Sequence, residues 1–189
     1  MIWDVELHRA LVHERTRFDL EVRFASDAER LVLHGASGAG KTQTLKMIAG
    51  IARPDRGRVV VADRALYDSA SRISLSAQER RLGYVFQDYA LFPHLTVRQN
   101  IAFGLRQLTA LARALVNGPD ALLLDEPFAA LDKALARRLR GELKELQAQL
   151  RVPMLLITHD DDDLRDLAHG VVELQGGRVV AAPAAVEAT

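Results

Sequence analysis

An eight-residue segment, Gly35-Ala36-Ser37-Gly38-Ala39-Gly40-Lys41-Thr42, narrows what this chain can fold into more than anything else in it. It fits the pattern G-x-x-x-x-G-K-[ST] and lies between a short apolar run, Arg30 to His34, and a stretch with helical spacing, Lys41 to Ile51. Glycines let a backbone curl until successive N–H groups converge on one phosphate, and a helix opening near Gly40 adds its positive end. Lys41 would neutralise the outer phosphates of a nucleotide, and the Thr42 hydroxyl can ligate Mg2+. With this composition the pattern arises by chance in about one chain in a thousand, before any flanking strand and helix are required. Residues 35–42 are therefore expected to bind a nucleotide.

The remaining segments alternate as such a loop requires. Val5 and Leu7, then Phe18, Leu20, Val22 and Phe24, are spaced by polar residues and predict half-exposed antiparallel strands. Short apolar runs follow at Arg58 to Ala62, Gly83 to Gln87, Ala121 to Asp125, Met154 to Thr158 and Val171 to Leu174, interleaved with helical stretches at Thr109 to Val116 and Lys133 to Leu150. This order predicts an α/β fold: a P-loop NTPase core with a largely parallel sheet flanked by helices, plus an N-terminal antiparallel β annex. A length of 189 residues suits one domain that buries a sizeable core without disulfides. Leu174-Gln175-Gly176-Gly177-Arg178 reads as a hairpin turn, and the Ala-rich tail from Ala181 to Thr189 is expected to fray.

Ala121-Leu122-Leu123-Leu124-Asp125-Glu126-Pro127 delivers two acids to the end of a strand that is apolar throughout, where α/β folds place ligands. Asp125 would hold Mg2+ directly or through water, and Glu126 would orient and polarise an attacking water. The proximity of the two carboxylates tends to raise one pKa, which suits a general base. His159 closes the run Met154 to Thr158, where an imidazole could reach a terminal phosphate. Gln87 closes another run, and its amide could touch Mg2+ or water. The four acids Asp160 to Asp163 are explained by the dipole of a helix that they open rather than by a metal. His8, His13, His34, His94 and His169 lack metal-ligand spacing.

Composition removes several classes of function. The 25 basic residues cancel the 25 acidic ones, which argues against a general nucleic-acid binder. There is no cysteine, hence no disulfide framework, thiolate zinc site or cysteine nucleophile. Met1 to Ala10 has no apolar core of a signal peptide, and no window approaches 18 consecutive apolar residues, so neither secretion by a signal peptide nor a membrane span is expected.

From Val5 to Val180 the motifs together resemble the ATP-binding cassette (ABC) ATPases. Beside the glycine loop and the Asp125-Glu126 pair, Tyr84-Val85-Phe86-Gln87-Asp88 is similar to that family's Q-loop, Ala130-Leu131-Asp132 to its D-loop, and Leu156-Ile157-Thr158-His159-Asp160 to its switch histidine. The resemblance implies ATP and Mg2+ as cofactors, with Glu126, His159 and Gln87 as catalytic residues and Thr42, Gln87 and Asp125 at the Mg2+ ion. It also implies hydrolysis of ATP to ADP and phosphate. The implied partners are integral membrane permease subunits and a second copy arranged head to tail, on the cytoplasmic side of the cell membrane, with no nucleic acid. Arg80 to Gln87 and Leu91 to Val97 resemble importer ATPases for oxyanions and other small solutes. The stretch Ala65 to Ser69, with Ile73-Ser74-Leu75, is most similar to those for molybdate. The residues Asp88 to Thr96, rich in Tyr89, Leu91, Phe92, Pro93 and Leu95, would form the docking surface for the membrane partner.

The chain departs from the family pattern between residues 105 and 109. Asn100 to Arg106 resembles the segment before the family's helical subdomain, Thr109 to Leu115 the helix after its Leu-Ser-Gly-Gly-Gln signature, and two or three residues join them. The helical subdomain is therefore expected to be missing here, as is the family's C-terminal accessory domain. In the family's dimer the partner's signature clamps the terminal phosphate, so its omission would weaken each site. Two other readings remain from the residues: a non-hydrolysing ATP-binding regulatory module, and a soluble ABC protein. His13 and Phe18 are both candidates to stack on adenine.

Overall fold

The structure, a computed structural model, describes residues 1–13, 16–86, 118–129 and 131–185. Gln87, the docking stretch Asp88 to Thr96, the helical stretch Thr109 to Val116 and the abrupt junction at 105–109 lie outside the described residues.

Among the described residues, eleven strands form one sheet in the order β6-β5-β4-β1-β2-β11-β10-β3-β9-β8-β7. The strands are β1 (Trp3–His13), β2 (Thr16–Ser26), β3 (Arg30–His34), β4 (Arg56–Val61), β5 (Arg64–Asp68), β6 (Ile73–Ser74), β7 (Leu82–Val85), β8 (Ala121–Asp125), β9 (Met154–Ile157), β10 (Gly170–Gln175) and β11 (Arg178–Ala185). The helices are α1 (Lys41–Ala49), α2 (Lys133–Leu150) and α3 (Asp161–Leu167). Strands β10, β3, β9, β8 and β7 are parallel, as the alternation of strands and helices predicts.

Both faces of this parallel core are covered, which is why the central runs 121–124 of β8 and 154–157 of β9 are apolar at every position. Leu31, Leu33, Leu123, Leu155 and Ile157 point to the face that carries Leu45, Met47 and Ile48 of α1. Val32, Leu122, Leu124, Met154 and Leu156 point the other way, onto Ala136, Leu139 and Leu143 of α2 and Leu167 of α3. Each such side chain contributes about 2 kcal/mol of apolar burial, so the two layers hold the strand ends, and any residues placed there, rigidly.

The annex differs from expectation in three respects. It includes β5 and β6, whose residues carry no strand periodicity of their own and pair onward from β4. It is also continuous with the core, because β11 pairs with β10 on one side and with β2 on the other, Glu21 N donating to Gly177 O at 2.7 Å. Finally, β11 runs to Ala185, so the expected fraying from Ala181 is incorrect as far as that residue. Main-chain pairing with β10 holds alanines that have little side chain to bury. The predicted hairpin at Gln175–Arg178 is present, joining β10 to β11.

Candidate functional site

The loop between β3 and α1 has the conformation that its glycines permit. Gly35 has φ +145° and Gly40 φ +101°. An added Cβ at Gly35 would lie 2.1 Å from the Leu174 carbonyl oxygen, and one at Gly40 would lie 2.2 Å from the Leu20 side chain. The loop is thus pressed onto the turn before β11 and onto the annex, and Gly177 N donates to Ala39 O at 3.1 Å from behind. Phe18, a candidate adenine stacker, packs against these two glycine turns and is partly buried; the side chain of His13 lies outside the described residues. Gly40 caps α1 with no side chain, so no capping side chain satisfies the first amides of α1, which face the loop. Lys41 is buried, and its Nζ donates to the carbonyls of Gly35 at 2.7 Å and Ala36 at 2.9 Å, which holds the ammonium within the loop's curl.

Asp125, the last residue of β8, meets the first turn of α1. Its Oδ1 accepts from the Thr42 hydroxyl at 3.1 Å, and its Oδ2 accepts from the Tyr84 hydroxyl at 3.1 Å. Burial raises the Asp125 pKa; the Thr42 and Tyr84 hydrogen bonds oppose that rise, and the neighbouring charge of Glu126 adds to it. The raised carboxylate is thus the expected metal ligand rather than the expected base, and burial outweighs the pairing of acids as its cause. Burial also raises the Tyr84 phenol, with Asp125 second. The hydroxyl of Thr42 and the carboxylate of Asp125 are hard oxygen donors side by side, a set that fits Mg2+. No group of three or more His, Asp or Glu side chains among the described residues forms a metal cluster.

Glu126 has φ +46°, a strained value for a side chain of its size, and its amide donates to Ile157 O at 3.0 Å. The main chain therefore turns just after β8 and sends the carboxylate toward the end of β9. There Nδ1 of His159 lies 3.4 Å from Oε2 of Glu126. The Glu126 side chain is 17% exposed, whereas that of His159 is 65% exposed. Lys41, Thr42, Asp125, Glu126 and His159 thus converge at the C-terminal ends of β3, β8 and β9, as their positions in the sequence predict. Asp132 of the D-loop-like segment caps α2, accepting from the amides of Ala134 and Leu135 at 3.0 Å.

Three supports were not legible in the sequence. Tyr84 carries no motif of its own apart from its place before Gln87. Arg80 is 2% exposed and donates to the carbonyls of Met47 at 2.8 Å and Ile48 at 2.7 Å, closing the C-terminus of α1 with a cation. Asp160 and Asp163 open α3 as predicted, yet the dipole accounts for only part of their role, because both bind Arg140 of α2.

Comparison with known proteins follows the same lines. A family model described as ABC transporter matches residues 21–103. The molybdenum import ATP-binding protein ModC of Paramagnetospirillum magneticum is 35% identical over 214 residues, covering 94% of this chain and 58% of that protein. The probable sulfate/thiosulfate import ATP-binding protein CysA of Chlorella vulgaris is 35% identical over 202 residues, covering 87% of this chain and 82% of that protein. This chain spans somewhat more than half the length of the ModC relative. The dimeric post-hydrolysis structure of the ATP-binding cassette MJ0796 bound to ADP and Pi matches with a TM-score of 0.76 at 21% identity, with both chains covered in full, and has the same fold.

Proposed function

Because this chain belongs to the ABC transporter family of ATP-binding proteins, we propose that it is an ATP-binding and ATP-hydrolysing subunit that energises an importer for molybdate or a related oxyanion. The observation that carries the reading is the convergence of Lys41, Thr42, Asp125, Glu126 and His159 at three adjacent strand ends. The reaction is ATP plus water to ADP plus phosphate. The loop amides and Lys41 hold the phosphate chain and offset the charge that develops on the leaving ADP. Thr42 and Asp125 would hold Mg2+, which would supply Lewis-acid withdrawal of charge from the phosphates. Glu126 orients a water toward the terminal phosphate and accepts its proton. His159, 3.4 Å from Glu126, offers its other ring nitrogen to a phosphate oxygen. Gln87, which lies outside the described residues, would add an amide toward Mg2+ or water, as the family resemblance implies.

The partners in this reading are integral membrane permease subunits, docked at residues 88–96, and a second copy arranged head to tail. They would place the chain at the cytoplasmic face of the membrane as a peripheral subunit. No helix among the described residues is long and apolar enough to cross a membrane.

A second reading, a non-hydrolysing ATP-dependent regulatory module, is favoured by one observation. The alignment with the ModC relative is 214 positions long, while 94% of 189 residues is about 178, so about 36 positions of that relative have no counterpart in this chain. Such a gap is consistent with loss of the signature-bearing helical subdomain near residues 105–109. Single-turnover hydrolysis of MgATP, with and without the permease subunits, decides between the two. Turnover stimulated by the permease supports the importer reading, and tight binding without turnover in either condition supports the module.

A further inference from the structure

Helix α2 buries a guanidinium on its apolar face, among Ala136, Leu139 and Leu143. The Arg140 side chain is 5% exposed, and its Nε donates to Oδ1 of Asp163 at 2.5 Å; the Asp163 side chain is 3% exposed. A second nitrogen donates to Asp160 at 3.2 Å, and Asp162 and Asp166 lie at 4.0 and 3.8 Å. A buried ion pair stabilises a fold little compared with apolar residues of the same volume, so stability alone is a poor reason for it.

What the pair touches suggests a different reason. Oδ2 of Asp163 accepts from the Thr158 hydroxyl at 2.5 Å, and that hydroxyl accepts from the Asp160 amide at 3.0 Å. Both neighbours of His159 are thereby tied to Arg140. On its other side the guanidinium lies over the Phe128 ring, 5.9 Å from its centroid, and Phe128 is two residues beyond Glu126. The two loops face each other across a cavity of about 200 Å³ lined by Glu126, Phe128, Thr158, His159, Arg140 and Asp163, among others. Arg140 therefore grips the Glu126 turn through a ring and the His159 turn through two carboxylates. It reaches neither reacting side chain directly.

We infer that Arg140 is a positioning residue that sets the approach of Glu126 to His159 by clamping both of their loops from within the core. The inference deepens the proposed hydrolysis and rests on Glu126 and His159 being its reacting pair. A planar fork suits this task because its separate N–H groups address Asp160 and Asp163 at fixed angles, while its face remains available to Phe128.

The test is the double variant Arg140→Met, Asp163→Asn, which removes both buried charges together and keeps an acceptor for Thr158. Arg140→Lys serves as the conservative partner, keeping the charge without the fork. Both should melt cooperatively and bind MgATP within about threefold of the parent, since neither touches residues 35–42. Amide hydrogen exchange should quicken roughly tenfold or more in residues 126–131 and 158–160 and stay unchanged in 35–42. Single-turnover hydrolysis should fall roughly tenfold or more with nucleotide affinity retained. Parent-like exchange in the two loops overturns the inference, as does an equal rise in residues 35–42, which would mark general destabilisation. If the parent binds ATP without turnover, the hydrolytic reading fails, and the exchange measurement alone then decides whether Arg140 clamps the two loops.

Discussion

Tyr84 donates its hydroxyl to Oδ2 of Asp125 at 3.1 Å while Thr42 donates to Oδ1 of the same carboxylate at 3.1 Å. One oxygen of Asp125 is thus committed to the neighbouring strand, and the other faces the phosphate loop. Because Tyr84 lies on β7, only three residues before Gln87, the same strand that leads to Gln87 also orients the acid assigned to the metal.

Replacing Tyr84 by Phe leaves the ring packing intact and frees that oxygen. The expected result is an Mg2+ requirement for nucleotide binding raised roughly fivefold, about 1 kcal/mol, with little change in metal-free ATP affinity. Titration of Mn2+ into the ATP complex, followed by electron paramagnetic resonance, measures it. An unchanged Mn2+ affinity would show that Thr42 alone sets the carboxylate.

Lys41→Ala removes the ammonium held by the Gly35 and Ala36 carbonyls. A charge-assisted contact to phosphate contributes about 2 kcal/mol, so calorimetric MgATP affinity should fall roughly 30-fold. Because Lys41 also satisfies two loop carbonyls, the melting temperature should drop as well. Binding at parental affinity would remove the phosphate role.

Glu126→Gln keeps the shape and loses the base. Expected are retained MgATP binding and hydrolysis reduced by about 10²- to 10⁴-fold, measured in a single turnover. His159→Ala should be similarly slow, and combining the two should cost far less than the sum of their separate effects, because the side chains act as a pair 3.4 Å apart. Strict additivity would indicate that they act independently.

His169 sits at the opposite end of the sheet, its Nε2 against an Arg30 nitrogen. Burial first, and the Arg30 charge second, lower its pKa below the ordinary value of 6.5; Lys144 adds to this and Glu29 opposes it. The unfolded imidazole therefore binds a proton more readily than the folded one. The stability it permits is fully present above pH 6.5 and is lost as the pH falls toward the depressed folded value. Denaturant midpoints measured from about pH 5 to about pH 8 should rise through this window in the parent, and the slope should flatten in His169→Gln. An identical slope in both proteins would place the dependence elsewhere.

The glycine loop, the apolar strands and their order are properties of short windows, and these the sequence by itself determined. Gly35 and Gly40 are required by positive φ, and β8 reads Ala-Leu-Leu-Leu-Asp because both of its faces are covered. Lys133 to Leu150 is helical because its apolar residues recur with that period. Even the meeting of Thr42 with Asp125 follows from strand ends that share one edge of a parallel sheet. What only the tertiary structure decided are the supports that join distant segments. Tyr84 meets Asp125 across 41 residues, Arg80 closes α1 from 33 residues beyond Met47, and Arg140 reaches Asp163 across 23. In the sequence each is an ordinary tyrosine or arginine. Its role arises only when chain folding sets a donor against a buried acceptor that would otherwise be costly to leave unpaired. The same holds for β11, whose alanines carry no strand signal and are ordered by main-chain partners supplied by β10.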